Sequence, residues 1–294
     1  MTRGLLDIRA NFLLFYLATD RSVCAIVTLL NPSATPQGRG DPVISPYQPL
    51  LGKTAWITGA SRGLGRAVAA GLAGAGAAVA ITARSEADLR VLATELDESD
   101  VLVLPGSVTD SDAMTAAAGE IVRTRASLDV LVNMAGISPT VCRSEELSDD
   151  DWRRIVDVNL TGTFYCSRAA GRQMLRAEGG SIINVSSVHG STGVSRMAAY
   201  GASKGGVENL TRSLAIEWAA RLVRVNCLAP GYFRTQMTER YLESPFGQPV
   251  KAAIPMGRIG DAAELVGAAI FLASDASSYV TGAFLHVDGG WTAQ

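Results

Sequence analysis

The chain has 294 residues, 48% apolar and 18% charged, so it is long and apolar enough to bury a sizeable core. Its net charge is −2 and no stretch concentrates Lys and Arg, which excludes an electrostatic footprint for nucleic acid. The only histidines are His189 and His286, and Cys24, Cys142, Cys166 and Cys227 show no C-x-x-C spacing, so no metal site is expected and the cysteines read as reduced, mostly buried thiols of a cytoplasmic protein.

Residues 1–50 differ in character from the rest. Asn11 to Leu30 is apolar but interrupted by Asp20-Arg21, which makes it a poor membrane span. Asp7 and Asp20 and the lack of an A-x-A site also make it a poor signal peptide. Asn31 to Pro49 is rich in Pro, Gly and Ser and reads as a linker. We expect a disordered or weakly docked extension, such as an over-long translation start would add. A membrane-associating or targeting segment is the second reading.

From Leu51 onward the pattern alternates. Apolar, β-rich runs fall at Ala55–Thr58, Ala78–Thr82, Val101–Leu104, Val130–Asn133, Ser181–Ser186, Val223–Leu228 and Phe284–Val287. Ala-rich or amphipathic segments between them predict helices at Gly65–Gly74, Ser111–Arg123, Asp151–Ala177, Ala199–Ala220 and Ala262–Leu272. This alternation predicts one α/β domain over 51–294, a Rossmann-type, doubly wound parallel sheet of about seven strands. No internal repeat and no second domain is visible.

The first β-run leads into Thr58-Gly59-Ala60-Ser61-Arg62-Gly63-Leu64-Gly65 and then into a helix. Glycines there let the backbone turn tightly and approach a pyrophosphate, which the helix N-terminus attracts. A plain glycine turn is the bland alternative. A P-loop is excluded, because Gly52-Lys53-Thr54 has Tyr47 where the motif needs its first glycine. The second run ends in Ala83-Arg84, with no acid to bind ribose hydroxyls. Arg84 and Arg62 are suited instead to a 2′-phosphate, which favours NADP(H) over NAD(H). The bland reading makes both arginines solvated surface charges.

Tyr200 and Lys204, in YGASK, lie four apart in a predicted helix and leave the same face. A lysine ammonium beside a phenol favours the phenolate, so a lowered Tyr200 pKa is expected. The pair alone is common. It becomes specific together with Ser187, thirteen residues upstream at the end of an apolar run, and with the glycine turn.

These residues carry a resemblance. From about Leu51 to Gln294 the chain resembles the short-chain dehydrogenase/reductase family. TGASRGLG is similar to its cofactor turn, with Gly59, Ser61, Arg62, Gly63, Leu64 and Gly65. Asn133-Met134-Ala135-Gly136 is similar to its N-N-A-G segment. Asn159, Ser187, Tyr200 and Lys204 fall on its catalytic positions. Pro230, Gly231, Phe233 and Thr235 match the segment that holds the nicotinamide. Ser107-Val108 stands where the family has an Asp that meets adenine. APGYFRTQMT and VDGGWTA are most similar to gluconate 5-dehydrogenases and related sugar-acid or polyol reductases, and also to 3-oxoacyl-(acyl-carrier-protein) reductases.

The resemblance implies hydride exchange between a nicotinamide cofactor and a small-molecule ketone or secondary alcohol. Tyr200 would be the proton donor or acceptor, Lys204 its tuner and ribose ligand, and Ser187 the donor to the alkoxide. Asn159 would hold a relay water. A homotetramer or homodimer is implied too. His189 and Tyr232, next to Ser187 and Gly231, are candidate substrate contacts. Trp152 and Trp218 read as packing or subunit-interface residues. Two other classes fit the sequence less well. Gly201-Ala202-Ser203-Lys204-Gly205, with Asp275 and His286, has the order of a serine hydrolase, but a loop and helix precede Ser203 where a strand is needed. A non-catalytic dinucleotide-binding protein would lack the tyrosine or the lysine.

Overall fold

A computed structural model describes residues 48–294, save 97–99, 139, 237, 240–241 and 243–246. The described part falls in the compact unit Tyr47–Gln294. The extension expected at residues 1–50 lies outside the described residues up to residue 47. No helix among the described residues is long and apolar enough to cross a membrane.

Seven short, β-branched segments form strands: β1 (Thr54–Thr58), β2 (Ala78–Thr82), β3 (Val101–Val103), β4 (Val130–Asn133), β5 (Gly180–Val185), β6 (Val223–Pro230) and β7 (Phe284–Val287). All pair in parallel, in the order β3-β2-β1-β4-β5-β6-β7. The connecting helices are α1 (Gly63–Gly74), α2 (Glu86–Glu95), α3 (Ser111–Arg125), α4 (Asp149–Val156), α5 (Gly162–Ala177), the one-turn α6 (Val188–Ser191), α7 (Ala198–Trp218), α8 (Gly247–Ala253) and α9 (Val266–Ala273). The order predicted from the sequence is therefore observed, with element ends moved by a few residues.

A parallel sheet is covered on both faces, so its strands must be apolar on both. Alternate residues divide between two cores. Ile57, Ile81, Val132 and Ile183 join Leu72 and Leu272 on one face. Trp56, Ala80, Leu131 and Ile182 join Ile121, Met174 and Trp218 on the other. Trp56 also donates from Nε1 to the buried Thr82 hydroxyl at 2.9 Å. Trp218 is buried as a packing residue, and Trp152 is exposed.

Two sequence expectations change here. The helix expected over 151–177 is interrupted by a π-helical turn, Asp157–Thr161. The apolar pattern runs through this turn, so periodicity does not reveal it. The domain also begins before residue 51. Leu50 is fully buried in the first core, and its N–H bonds Ala75 O at 3.0 Å.

Leu50→Ala should therefore destabilise the fold by about 2–5 kcal/mol, the usual range for a buried leucine. A chain beginning at Pro46 should match the full chain in urea denaturation. A Leu50→Ala midpoint equal to the parent's would show that this residue is not part of the core.

Candidate active site

In a parallel sheet every strand ends at the same edge. Here that edge collects Gly59 after β1, Arg84 after β2, Ser107 after β3, Ala135 and Gly136 after β4, Ser187 after β5 and Gly231 after β6. The chain order reverses between β1 and β4, which leaves a crevice there suited to a dinucleotide.

The turn after β1 is built for close approach. Gly59 has φ +67°, and a Cβ on it would lie 2.7 Å from the Ala135 backbone. A Cβ on Gly65 would lie 2.2 Å from Gly59 O. Thr58 ties the two loops together, since its hydroxyl accepts from Ala135 N at 3.2 Å. Ser85, Asp110 and Ser148 cap α2, α3 and α4 with their side chains. Helix α1 has Arg62 at its N-cap, no side-chain cap and no acid in its first turn. Its leading N–H groups thus face a glycine cradle without competition from a carboxylate or hydroxyl, which fits a pyrophosphate. Thr235 reaches the same turn, 3.7 Å from where a Gly63 Cβ would sit. Ser61 and Leu64 are half-buried, while Arg62 and Arg84 are exposed.

Other predicted cofactor residues have structural duties. Asn133 is buried and donates to Ser167 Oγ at 2.9 Å and Asn184 Oδ1 at 2.8 Å, so its side chain braces β4 and β5 from within. Val108 is buried against Gly162, and Ser107 bonds the Thr109 hydroxyl at 2.8 Å. Pro230 closes β6, and Gly231 fits under Asp288, where a Cβ would meet its Cα at 2.7 Å. The Phe233 ring is buried over Gly260.

The catalytic candidates meet where β5 abuts α7. Lys204 is buried and donates from Nζ to Val185 O at 2.7 Å. Ser186 donates to Glu208 Oε1 at 3.0 Å. Ser187 is buried, and its hydroxyl faces the Tyr200 phenol closely enough to favour the ionised form. Three consecutive strand-end residues thus engage three turns of one helix face. The Asn159 side chain, in the π turn, accepts from Ile137 N at 2.8 Å and donates to Ile137 O and to Ser203 Oγ. These bonds make Asn159 a brace for the loop after β4 and for α7. It still borders the site: a Gly136 Cβ would lie 3.4 Å from Asn159 Oδ1 and 3.5 Å from Lys204 Nζ.

The electrostatics differ from the sequence expectation. Burial pushes the Tyr200 phenol above its ordinary value, and the Ser187 hydroxyl only partly opposes it. The Lys204 ammonium, 5.8 Å from the ring centroid, does not reverse the direction. The expected lowering of Tyr200 is thus corrected for the protein alone: desolvation wins over a charge at that distance. Burial also lowers Lys204, to about 8.

His189 and Tyr232 come together beside Tyr200. His189 Nε2 is 3.1 Å from the Tyr232 hydroxyl, and its ring packs edge-on against Tyr200 at 6.4 Å. Burial lowers the His189 pKa, which keeps the imidazole neutral, and its Nδ1 is buried without a hydrogen-bond partner. Trp291 packs on Tyr232 at 5.0 Å. This tryptophan follows the Val287-Asp288-Gly289-Gly290 turn, and no sequence signal marks it, because spacing does not reveal that the turn folds back to the site. Ser203 lies inside α7 and donates to Tyr200 O at 2.7 Å, a helical setting that lacks the strand-to-helix elbow of a hydrolase serine.

A family model described as enoyl-(acyl carrier protein) reductase matches residues 59–292. Galactitol 2-dehydrogenase (L-tagatose-forming) of Cereibacter sphaeroides is 44% identical over 247 residues, 83% of this chain and 96% of the relative. The 3-oxoacyl-(acyl-carrier-protein) reductase of Haemophilus influenzae is 40% identical over 82% of this chain and 98% of its own. A crystal structure of a gluconate 5-dehydrogenase from Burkholderia cenocepacia, in complex with NADP and tartrate, superposes with a TM-score of 0.81 at 37% identity, covering 84% of this chain and 98% of that one. The chain belongs to the short-chain dehydrogenase/reductase family. It is an oxidoreductase that acts on CH–OH groups of small molecules and binds a nicotinamide dinucleotide.

In this dehydrogenase/reductase the buried lysine has a measurable cost. A base with a depressed pKa holds its proton more weakly in the folded chain than in the unfolded one. The cost is complete below about pH 8 and disappears as the pH rises past 10.5, the unfolded value. Relative to Lys204→Met, the parent should gain stability across that interval, by about 3 kcal/mol at most. Urea denaturation of both proteins from pH 7 to 11 checks this. A difference that does not change with pH would show that Lys204 titrates normally.

Proposed function

We propose that this enzyme interconverts a ketone and a secondary alcohol of a polyol or sugar acid, with NADP(H) preferred over NAD(H). The observation that carries the reading is the meeting of Ser187, Tyr200 and Lys204 at the sheet edge where the glycine turn opens. The cofactor supplies or accepts the hydride. Tyr200 gives its proton to the carbonyl oxygen in reduction and removes it in oxidation. Ser187 donates a hydrogen bond to the developing alkoxide. Lys204 supplies positive charge near the phenol and would bind the ribose hydroxyls of the cofactor. Burial raises the phenol in the protein alone, so the positive charges of Lys204 and of an oxidised nicotinamide ring would be what favours its ionisation.

The cofactor preference rests on Arg84, exposed after an acid-free strand tip, and on Arg62 at the α1 N-cap. NADP bound to the Burkholderia relative supports it. The substrate class rests on the neutral, polar His189–Tyr232 pair beside Tyr200, which suits a hydroxyl better than an acyl chain, and on the galactitol and gluconate relatives. We further read the protein as a cytoplasmic homotetramer or homodimer with a dispensable N-terminal extension.

A panel of keto-polyols, keto-sugar acids, diketones and 3-oxoacyl thioesters, assayed with NADPH and NADH, tests the reading. Keto-polyols or keto-sugar acids should be reduced best, and NADPH should be favoured. Arg84→Ala should raise the Michaelis constant for NADPH and spare NADH. Thioesters as the best substrates, or equal use of both cofactors, would contradict the corresponding part.

A further inference from the structure

The pairing of β5 with α7 contains a residue that the proposed chemistry does not use. Glu208 is a carboxylate only 5% exposed, one helical turn beyond Lys204 and two beyond Tyr200. A carboxylate is rarely held so deeply unless it is partnered. Its partner is Ser186, whose hydroxyl lies 3.0 Å from Oε1, with the Lys204 carbonyl at 3.2 Å as a second acceptor. The same carboxylate leaves no room for a side chain at residue 190. A Cβ on Gly190 would sit 2.3 Å from Glu208 Oε1 and 2.3 Å from Ser186 Oγ. Gly190 N in turn donates to Ser187 O at 2.8 Å, and His189 N donates to Ser187 Oγ at 3.3 Å. Glu208 therefore touches both sides of Ser187: Ser186 before it and the α6 turn after it.

We propose that Glu208 is a positioning residue, which through Ser186 and Gly190 fixes the height of the Ser187 hydroxyl relative to the Tyr200 phenol. This rests on Ser187 and Tyr200 being the groups that meet the substrate oxygen. Of the bonds that join β5 to α7, the one from Lys204 to Val185 O is made by a side chain with a second duty at the ribose. The Ser186–Glu208 bond has no such duty and lies next to Ser187, nearer the site than the Asn184–Thr211 bond at 3.0 Å, so it keeps the strand end and helix in register while Lys204 is engaged. Displacements of an ångström are enough to matter, because catalytic rates are sensitive to misplacement on that scale.

The test compares Glu208→Ala, Glu208→Gln, Ser186→Ala and the double variant Ser186→Ala/Glu208→Ala in the full chain. The reductase assay uses the best ketone of the panel, and NADPH binding is followed by nucleotide fluorescence. Glu208→Ala should lower kcat about ten- to a hundredfold, with KM and NADPH affinity little changed. Glu208→Gln keeps an acceptor for Ser186 and should restore most of kcat. Ser186→Ala should reproduce the loss, and the double variant should lose no more than either single one. If Glu208→Ala does not fold, the smaller Ser186→Ala change decides alone. Parental kcat in Ser186→Ala, equal losses in Glu208→Gln and Glu208→Ala, or losses that multiply in the double variant would overturn the proposal. A parent that reduces no ketone of the panel would instead contradict the functional reading beneath it.

Discussion

The site depends on how the end of β5 is locked to one face of α7. Val185, Ser186 and Ser187 engage Lys204, Glu208 and Tyr200 in turn. Residues on that helix face recur every four positions, so one rigid element carries all three partners. The strand supplies the opposing groups at consecutive positions. Neither element could shift by a residue without breaking every bond at once. The geometry of the proton-exchanging phenol is thus set by secondary structure and not by a mobile loop.

Below this lock lies a polar layer that a simple core would not contain. Asn133, Ser167, Asn184 and Thr211 are all buried and hydrogen-bonded to one another across β4, β5, α5 and α7. Each bond in such a setting contributes modestly to stability, and the network is not fully matched, because Asn133 Oδ1 is buried without a partner. The site adds costs of its own. Lys204 is a buried cation with a lowered pKa, and His189 keeps a buried ring nitrogen unpartnered. Both are costs to the fold placed where the chemistry is.

Much of this was legible in the sequence, for identifiable reasons. Strands such as Val130–Asn133 and Phe284–Val287 stand out because a parallel sheet needs continuous apolar runs. The glycine turn was legible because a Cβ at Gly59 or Gly65 would collide with backbone. What stayed hidden arises from tertiary contact. The π turn around Asn159 leaves the apolar period undisturbed. Leu50 directly follows the Pro-rich stretch that reads as linker, yet is buried in the first core and bonds to Ala75 O at the end of α1. Trp291 reaches the site through a turn whose direction spacing cannot give. The Tyr200 shift went the other way because sequence reveals a neighbouring lysine but not the depth at which both are buried. Glu208 carried a usable signal, since it continues the four-residue spacing of Tyr200 and Lys204.

The central claim is that Tyr200 exchanges the proton while the fold and the glycine cradle hold the cofactor independently. Tyr200→Phe removes the phenolic proton and keeps the ring. Measured together, NADPH affinity and ketone turnover separate the two roles. The account predicts unchanged NADPH affinity and a fall in turnover of at least about a hundredfold. A Tyr200→Phe enzyme that retains parental turnover would contradict it.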